Sequence, residues 1–227
     1  MWEIIRAGGL IMIPLGMMSI MSLAIIAERF WSLRASQVLP PALGPQVRQY
    51  AKTHRLDPQQ LKELEENSPL GSVLASVLAN RHRSRDVLRQ KAEDAGRRVV
   101  HELHRFLNTL GTIAIISPLM GLLGTVFGLI KMFLVITGAG IGDAQRLSGG
   151  IGEALIATAS GLVVAIIAYM FHRYFRGHVQ NLAVELEREA ADLIDSLEQP
   201  SAPAAAPVRP AGTSVPAPAG ASGSAKA

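Results

Sequence analysis

Glu153, Thr125 and Thr158 are polar side chains within long apolar stretches of this sequence, and their chemistry suits the movement of protons. Glu153 is the one carboxylate in the stretch 151–171, and Thr125 and Thr158 supply hydroxyl groups. A carboxyl group near the centre of a membrane helix costs roughly 2.5 kcal/mol or more, so it normally faces a cavity or a partner. The three groups predict a narrow polar path between two helices. Two alternatives stay open: Glu153 could lie in the wet interface, and each threonine could bond its own helix.

Small residues surround these polar groups at helical spacing. Gly124-x-x-x-Gly128 is typical of membrane helices that pack closely, because small residues let two backbones approach each other. It is not a phosphate loop, since no Gly-Lys-Ser/Thr follows, and Gly138-x-Gly-x-Gly142 lacks the strand–turn–helix setting of a dinucleotide site. We therefore predict a packing or pore-lining face that comprises Gly121, Gly124, Gly128, Ala157, Gly161 and Pro118.

One further charge lies in these stretches, on Lys131. We expect its long side chain to reach the outer membrane surface, with an ion pair to Glu153 or Asp143 as the alternative. One carboxyl group and two hydroxyl groups are few for a proton path through a bilayer. A complete path would need a carboxylate from elsewhere, which favours a partner subunit.

The apolar stretches 8–27, 110–136 and 151–171 predict three membrane-spanning helices. About 20 apolar residues cross a hydrocarbon core of about 30 Å, and a helix satisfies its own backbone hydrogen bonds in lipid. A cleaved signal peptide is the alternative for the first stretch. We favour an anchored helix, because the apolar run is longer than usual and no small-x-small cleavage site follows it.

Composition agrees with a membrane protein and excludes several other classes. Hydrophobic residues make up 49% of the chain and charged residues 18%, against about 25% charged residues in soluble domains. The net charge of +4 is too small to indicate a nucleic-acid partner. Cysteine is absent, which excludes disulfides, cysteine-ligated metals and a cysteine nucleophile, and His101 and His104 lie on a charged helix face that favours solvation over metal binding. We expect no cofactor, no metal and no enzymatic activity.

Basic residues predict the orientation of the spans. Of the 22 Lys and Arg, 14 lie in 28–109 and 5 lie beyond residue 171. Because cytoplasmic loops carry the excess of basic residues, we expect 28–109 and the C-terminus to be cytoplasmic. The N-terminus 1–7 and the short loop 137–150 then lie on the opposite, periplasmic side.

The cytoplasmic parts are predicted to be helical. Asp57-Pro58 and Ser68-Pro69 each combine a good N-cap with proline at the first helical position. One helix is expected from about residue 84 to 136, and the third span is expected to continue through 172–198. The two extensions carry apolar stripes that should pack together, within or between subunits: Leu88, Ala92, Ala95, Val99, Leu103, Phe106 and Leu110, and Val179, Leu182, Leu186, Ala190, Leu193 and Leu197. The Ala- and Pro-rich tail 199–227 is expected to be disordered.

Two motifs in the apolar stretches resemble the ExbB/TolQ/MotA proton-channel family. They are residues 119–130 (LMGLLGTVFGLI) and 150–162 (GIGEALIATASGL). The resemblance covers about residues 1–197, and the arrangement is most similar to the ExbB branch, with TolQ a close second.

The resemblance implies a homo-pentamer in the bacterial inner membrane, with the second and third helices around a central pore. Two transmembrane helices of an ExbD-like partner would occupy that pore and contribute an essential aspartate. The positions that match the family's functional residues are Thr125, Thr158 and Glu153. The implied activity is use of the proton-motive force to energise a TonB-like protein for import of iron chelates and vitamins.

The chain departs from its relatives at Ser148-Gly149-Gly150, where many have Ala-Pro-Gly, and at Ile167, where many have proline. Both departures bear on the entry and kink of the third helix. A TolQ-like role in envelope integrity is the alternative function, and a non-conducting membrane scaffold is the second. A MotA-like role is less favoured, because that branch usually has four spans.

Overall fold

The computed structural model describes residues 9–53, 57–139 and 144–198, and all regular structure in these parts is helical. The expected N-terminal segment 1–7, the tail 199–227 and Asp143 lie outside the described residues. The helices are α1 (Met12–Ser32), α2 (Ala35–Val38), α3 (Leu43–Thr53), α4 (Pro58–Asn67), α5 (Pro69–Ala79), α6 (Arg85–Leu103), α7 (Leu107–Ala139) and α8 (Ala144–Glu198).

Three of these helices, α1, α7 and α8, are long and apolar enough to cross a membrane. Over the described residues, the all-helical fold with three long apolar helices therefore fits a membrane protein. The third, α8, has 55 residues. At 1.5 Å per residue it is about 80 Å long, so it exceeds a hydrocarbon core of about 30 Å by roughly 50 Å. The same helix can therefore both span a bilayer and support a domain beyond it.

The helix starts predicted at two Xaa-Pro pairs are confirmed. Helix α4 begins at Pro58, and the backbone N–H of its N-cap Asp57 donates to Gln60 Oε1 at 3.4 Å. Helix α5 begins at Pro69, and the N-cap Ser68 accepts a hydrogen bond from the Gly71 N–H at 3.0 Å. Proline suits these positions because the first helical N–H has no partner within the helix.

The core outside the apolar spans is built by α5, α6 and the second half of α8. Helix α5 is buried on most of its surface and packs against α6 and α8. Burial of these side chains from water supplies the main favourable term in their packing. The buried members of the two predicted stripes are Leu88, Ala92, Ala95, Val99, Leu103 and Leu110, and Val179, Leu182, Leu186, Ala190 and Leu193, with Leu197 partly buried beside them.

The prediction of one helix from residue 84 to 136 was wrong. The helix is interrupted between Leu103 and Leu107, and Phe106 adopts a left-handed φ of 62°. Phe106 is also 41% exposed, so its place in the buried stripe was wrong as well. In a continuous helix the Leu107 N–H would donate to the Leu103 carbonyl. Here it donates to the His104 carbonyl at 3.1 Å.

The freed carbonyl of Leu103 is taken by Arg29 of α1, whose Nη1 donates to it at 3.1 Å. Arg29 is only 5% exposed, pairs with Glu28 at 2.5 Å and lies over the Phe106 ring. No glycine or proline marks residues 104–106, so the break depends on a tertiary contact. The local sequence contains no such helix breaker, so it predicted an unbroken helix there.

Candidate proton site on the seam between two apolar helices

Gly121, Gly124 and Gly128 of α7 lie directly against α8. A Cβ on Gly124 would lie 2.5 Å from the Ala157 Cβ, and one on Gly128 would lie 2.9 Å from the Ala154 Cβ. From the other side, a Cβ on Gly161 would lie 2.6 Å from the Ser117 carbonyl oxygen. Real Cβ atoms almost never approach other atoms this closely, so larger residues would push the helices apart. We call this contact line between α7 and α8 the seam.

Thr158 donates a hydrogen bond across the seam. Its Oγ1 lies 3.1 Å from the carbonyl oxygen of Gly121 on α7. The backbones can approach this closely because Gly121 has no side chain: a Cβ there would lie 3.0 Å from the Thr158 Cα. The alternative of a bond within its own helix therefore does not describe Thr158.

Thr125 bonds within its own helix instead. Its Oγ1 donates to the Leu122 carbonyl at 2.6 Å, which is the local bond usual for a membrane threonine. Thr125 is half-buried and follows Gly124, which faces Ala157 across the seam. Of these two threonine hydroxyl groups, only that of Thr158 forms a hydrogen bond between α8 and α7.

Glu153 forms an ion pair with Lys131, with 2.6 Å between Oε1 and Nζ. The ion pair kept as the alternative for Lys131 is present, and the favoured reach to the membrane surface stays a prediction. Side chains on a helix lean towards its N-terminus, so Lys131 leans back along α7 towards the interior of the span. Glu153 on the antiparallel α8 lies within its reach. The Lys131 side chain is 58% exposed and that of Glu153 is 22% exposed, so the carboxylate is the drier partner.

Gly9 is a contact of Glu153 that sequence reasoning missed. Gly9 precedes α1 and has a φ of +71°, a conformation that glycine adopts freely. A Cβ at this position would overlap the Glu153 carboxylate. Lys131 of α7 and Gly9 before α1 therefore both contact this carboxyl group of α8. The available signal was the Gly8-Gly9 pair at the start of the first apolar stretch.

Ser117 and Pro118 lie at the opposite end of the seam. Ser117 is completely buried, and its Oγ lies 3.7 Å from the sulfur of Met18 on α1. The half-buried Pro118 lies inside α7, where it lacks the N–H that would bond the Ala114 carbonyl. Ser117 was also missed, because a single serine in an apolar stretch carries no distinctive pattern.

These groups can hold and pass a proton but offer little for other chemistry. Glu153 precedes Thr158 by five residues, which is about 7.5 Å along α8. At about 100° per residue the two side chains also point about 140° apart, so they lie at successive levels on opposite sides of the contact line. Within the described ranges, no three His, Asp or Glu side chains form a group that could hold a metal ion.

Comparison with known proteins identifies the family of the chain. The MotA/TolQ/ExbB proton channel family matches residues 65–188. ExbB-like 1 from Synechocystis sp. is 36% identical over 174 residues, which is 73% of this chain and 66% of the relative, just under two thirds of its length. The biopolymer transport protein exbB1 of Vibrio cholerae is 34% identical over 168 residues, 70% of this chain and 72% of the relative. TolQ of the Tol-Pal system of Haemophilus influenzae is 44% identical over 73 residues, 32% of each chain.

The family match begins in α4, covers both apolar motifs and ends in the second half of α8. It includes Thr125, Thr158, Glu153 and all the seam glycines. The resemblance read from the two motifs is thereby confirmed. The chain belongs to the MotA/TolQ/ExbB proton channel family.

Proposed function

We propose that this chain is a proton-channel subunit that converts the proton-motive force into work on a TonB-like protein, together with an ExbD-like partner. The observation that carries the proposal is the placement of Thr158 and Glu153 beside a seam at which glycines, alanines and backbone atoms are in close contact. Ionisable and polar groups in membrane helices are costly, so they usually face a cavity or a partner and mark an ion path. The proposal assigns no enzymatic reaction to the chain.

The proposed assembly is a homo-pentamer in the inner membrane, with α7 and α8 around a pore that holds two helices of the partner. Large apolar side chains remain exposed on all three apolar helices, which suits contact with lipid and with other chains. The proposed orientation has a periplasmic N-terminus and a cytoplasmic C-terminus. It follows from the basic residues of 28–109 and of the second half of α8.

The test uses the full chain expressed with its partner in cells that lack their own system. We expect Glu153→Gln and Thr158→Val to lower both TonB-dependent uptake of an iron chelate and proton flux in reconstituted vesicles. Thr137→Val is the matched control, because Thr137 bonds the carbonyls of Phe133 and Leu134 in its own helix. Copurification with the partner measures assembly. Full uptake and full flux in both seam variants would contradict the proposal.

A second candidate is a TolQ-like role in envelope integrity, which the local identity of 44% to the Haemophilus TolQ supports. Complementation separates the two roles. Restored resistance to detergent in cells lacking TolQ, without restored iron uptake in cells lacking ExbB, would favour the TolQ-like role. A correctly assembled complex that never conducts protons would favour a membrane scaffold.

A further inference from the structure

Lys131 is a charged side chain in the membrane-spanning part of α7 to which the proposed function assigns no role. Its Nζ lies 2.6 Å from Glu153 Oε1, and the carboxylate packs against Gly9 at the start of α1. Among the described side chains, Lys131 is the cation that meets Glu153. Arg6, Asp143 and Arg146 have no described side chains, so the experiment below leaves them intact.

We propose that Lys131 is a positioning residue, an ionic latch that holds the Glu153 carboxylate in place and closes the outer end of the seam between α7 and α8. This inference rests on the proposed function, because it needs Glu153 to take part in proton movement. The latch binds while the carboxyl group is charged. When Glu153 takes up a proton, its carboxylate becomes a neutral carboxyl group and the attraction to the ammonium group is lost.

The packing around the pair converts this loss of charge into freedom to move. Below the pair, Gly128 lies against Ala154 and the Gly150 carbonyl, so α7 and α8 are in backbone contact there. Beside it, Gly9 leaves room for the carboxylate alone. Release of Lys131 would therefore free the carboxyl group and the start of α1 together. Proton uptake at Glu153 is in this way coupled to opening of the seam.

The unequal exposure of the two partners predicts which change matters most. Lys131 lies near the outer end of its apolar stretch, so its long side chain can reach the membrane surface when its partner is removed. Glu153 is largely enclosed, so removal of Lys131 leaves a poorly hydrated carboxylate with its described counter-ion missing. Lys131→Met should consequently open the latch, whereas Lys131→Arg should keep it closed.

The experiment measures passive proton leak and driven proton flux in vesicles that contain the complete complex. We expect Lys131→Met to raise the leak about fivefold, the factor for loss of a partly exposed ion pair that favours the closed state. Lys131→Arg should leak like the unchanged protein. The exchange Lys131→Glu/Glu153→Lys should bring the leak back close to normal without restoring driven flux. Lys62→Met is the matched control, because it breaks the exposed Lys62–Glu66 pair of α4.

Every outcome of this experiment either supports or overturns the proposed latch. Equal leak in Lys131→Met and Lys62→Met would overturn the latch, as would a Lys131→Arg variant that leaks like Lys131→Met. Failure of Lys131→Met to assemble supports the pair if the charge exchange restores assembly, and overturns it if the exchange does not. Loss of the proposed function has a different signature, namely full driven flux in Glu153→Gln.

Discussion

Substitution of Gly161 by alanine tests how closely the two helices of the seam must approach. A Cβ at this position would lie 2.6 Å from the Ser117 carbonyl oxygen and 3.0 Å from the Gly121 Cα, both backbone atoms of α7. Ordinary contact begins at about 3.4 Å, so α7 and α8 must separate by up to about 0.8 Å. Overpacking of this kind costs about 1–3 kcal/mol, and replacing a helical glycine returns about 0.5–1 kcal/mol. We expect a net loss of roughly 1–2 kcal/mol.

The same separation acts on the Thr158 hydrogen bond to Gly121, which is 3.1 Å long. A shift of about 0.8 Å along the bond would lengthen it to about 3.9 Å, beyond hydrogen-bond range. Thr158→Val should therefore cost less in a chain that already carries Gly161→Ala. Contacting residues show such non-additive effects, whereas distant residues do not.

The assay is thermal denaturation of the purified complex, followed by fluorescence-detected gel filtration. Gly177→Ala is the control on the same helix, because nothing lies within 4 Å of its Cβ position. We expect the control to match or exceed the unchanged protein and Gly161→Ala to fall below it, by roughly 2–4 °C per kcal/mol. Equal stability of the two alanine variants, or strictly additive effects of Gly161→Ala and Thr158→Val, would refute the close-approach reasoning.

Three further predictions concern single contacts in the same chain. Thr158→Val should lower the thermal stability of the complex by about 0.6 kcal/mol through loss of the cross-helix bond, whereas Thr137→Val should leave it nearly unchanged. Arg29→Met should lower the stability of the complex by about 1–3 kcal/mol in the same assay, because the Leu103 carbonyl loses its hydrogen-bond donor. Unchanged stability would show that Arg29 does not stabilise the helix break. Phe106→Gly should raise stability by about 1 kcal/mol, because glycine adopts a φ of 62° without the cost that phenylalanine bears; a loss would mean that the ring's contact with Arg29 matters more.

The three apolar helices and the starts of α4 and α5 could be predicted because they depend on local sequence. A run of apolar residues and an N-cap followed by proline carry their meaning within a few positions. The break at 104–106 could not be predicted, because it needs Arg29, which lies more than seventy positions earlier in the chain, to bind the Leu103 carbonyl. Local propensity and tertiary contact point in opposite directions there, and the contact prevails.

The candidate site could be predicted only in part, because some of its contacts also join distant parts of the chain. Glu153 stands out as the one carboxylate of the stretch 151–171, and Thr158 belongs to one of the two motifs that resemble the family. Their partners do not stand out: Thr158 binds a backbone carbonyl of Gly121, and Glu153 packs on Gly9. Neither partner contributes a polar side chain. Prediction of the Lys131–Glu153 pair needed the lean of helical side chains towards the N-terminus, which spacing alone does not include.

The hydrogen bonds of the site favour a proton path completed by a second protein rather than one contained in a single copy of this chain. Thr125 donates to its own helix, Thr158 donates to the Gly121 backbone, and Glu153 pairs with Lys131. At Gly124, Gly128 and Gly161 the seam leaves too little room even for a Cβ, so α7 and α8 are in direct contact there. A water needs a cavity of at least about 10–15 Å³. A row of waters linking the three groups along the seam would therefore require α7 and α8 to separate. A protonated carboxyl group presented by a partner helix beside the seam could donate to the free lone pairs of these hydroxyl oxygens without that separation. This supports the proposal that a partner supplies the missing acid.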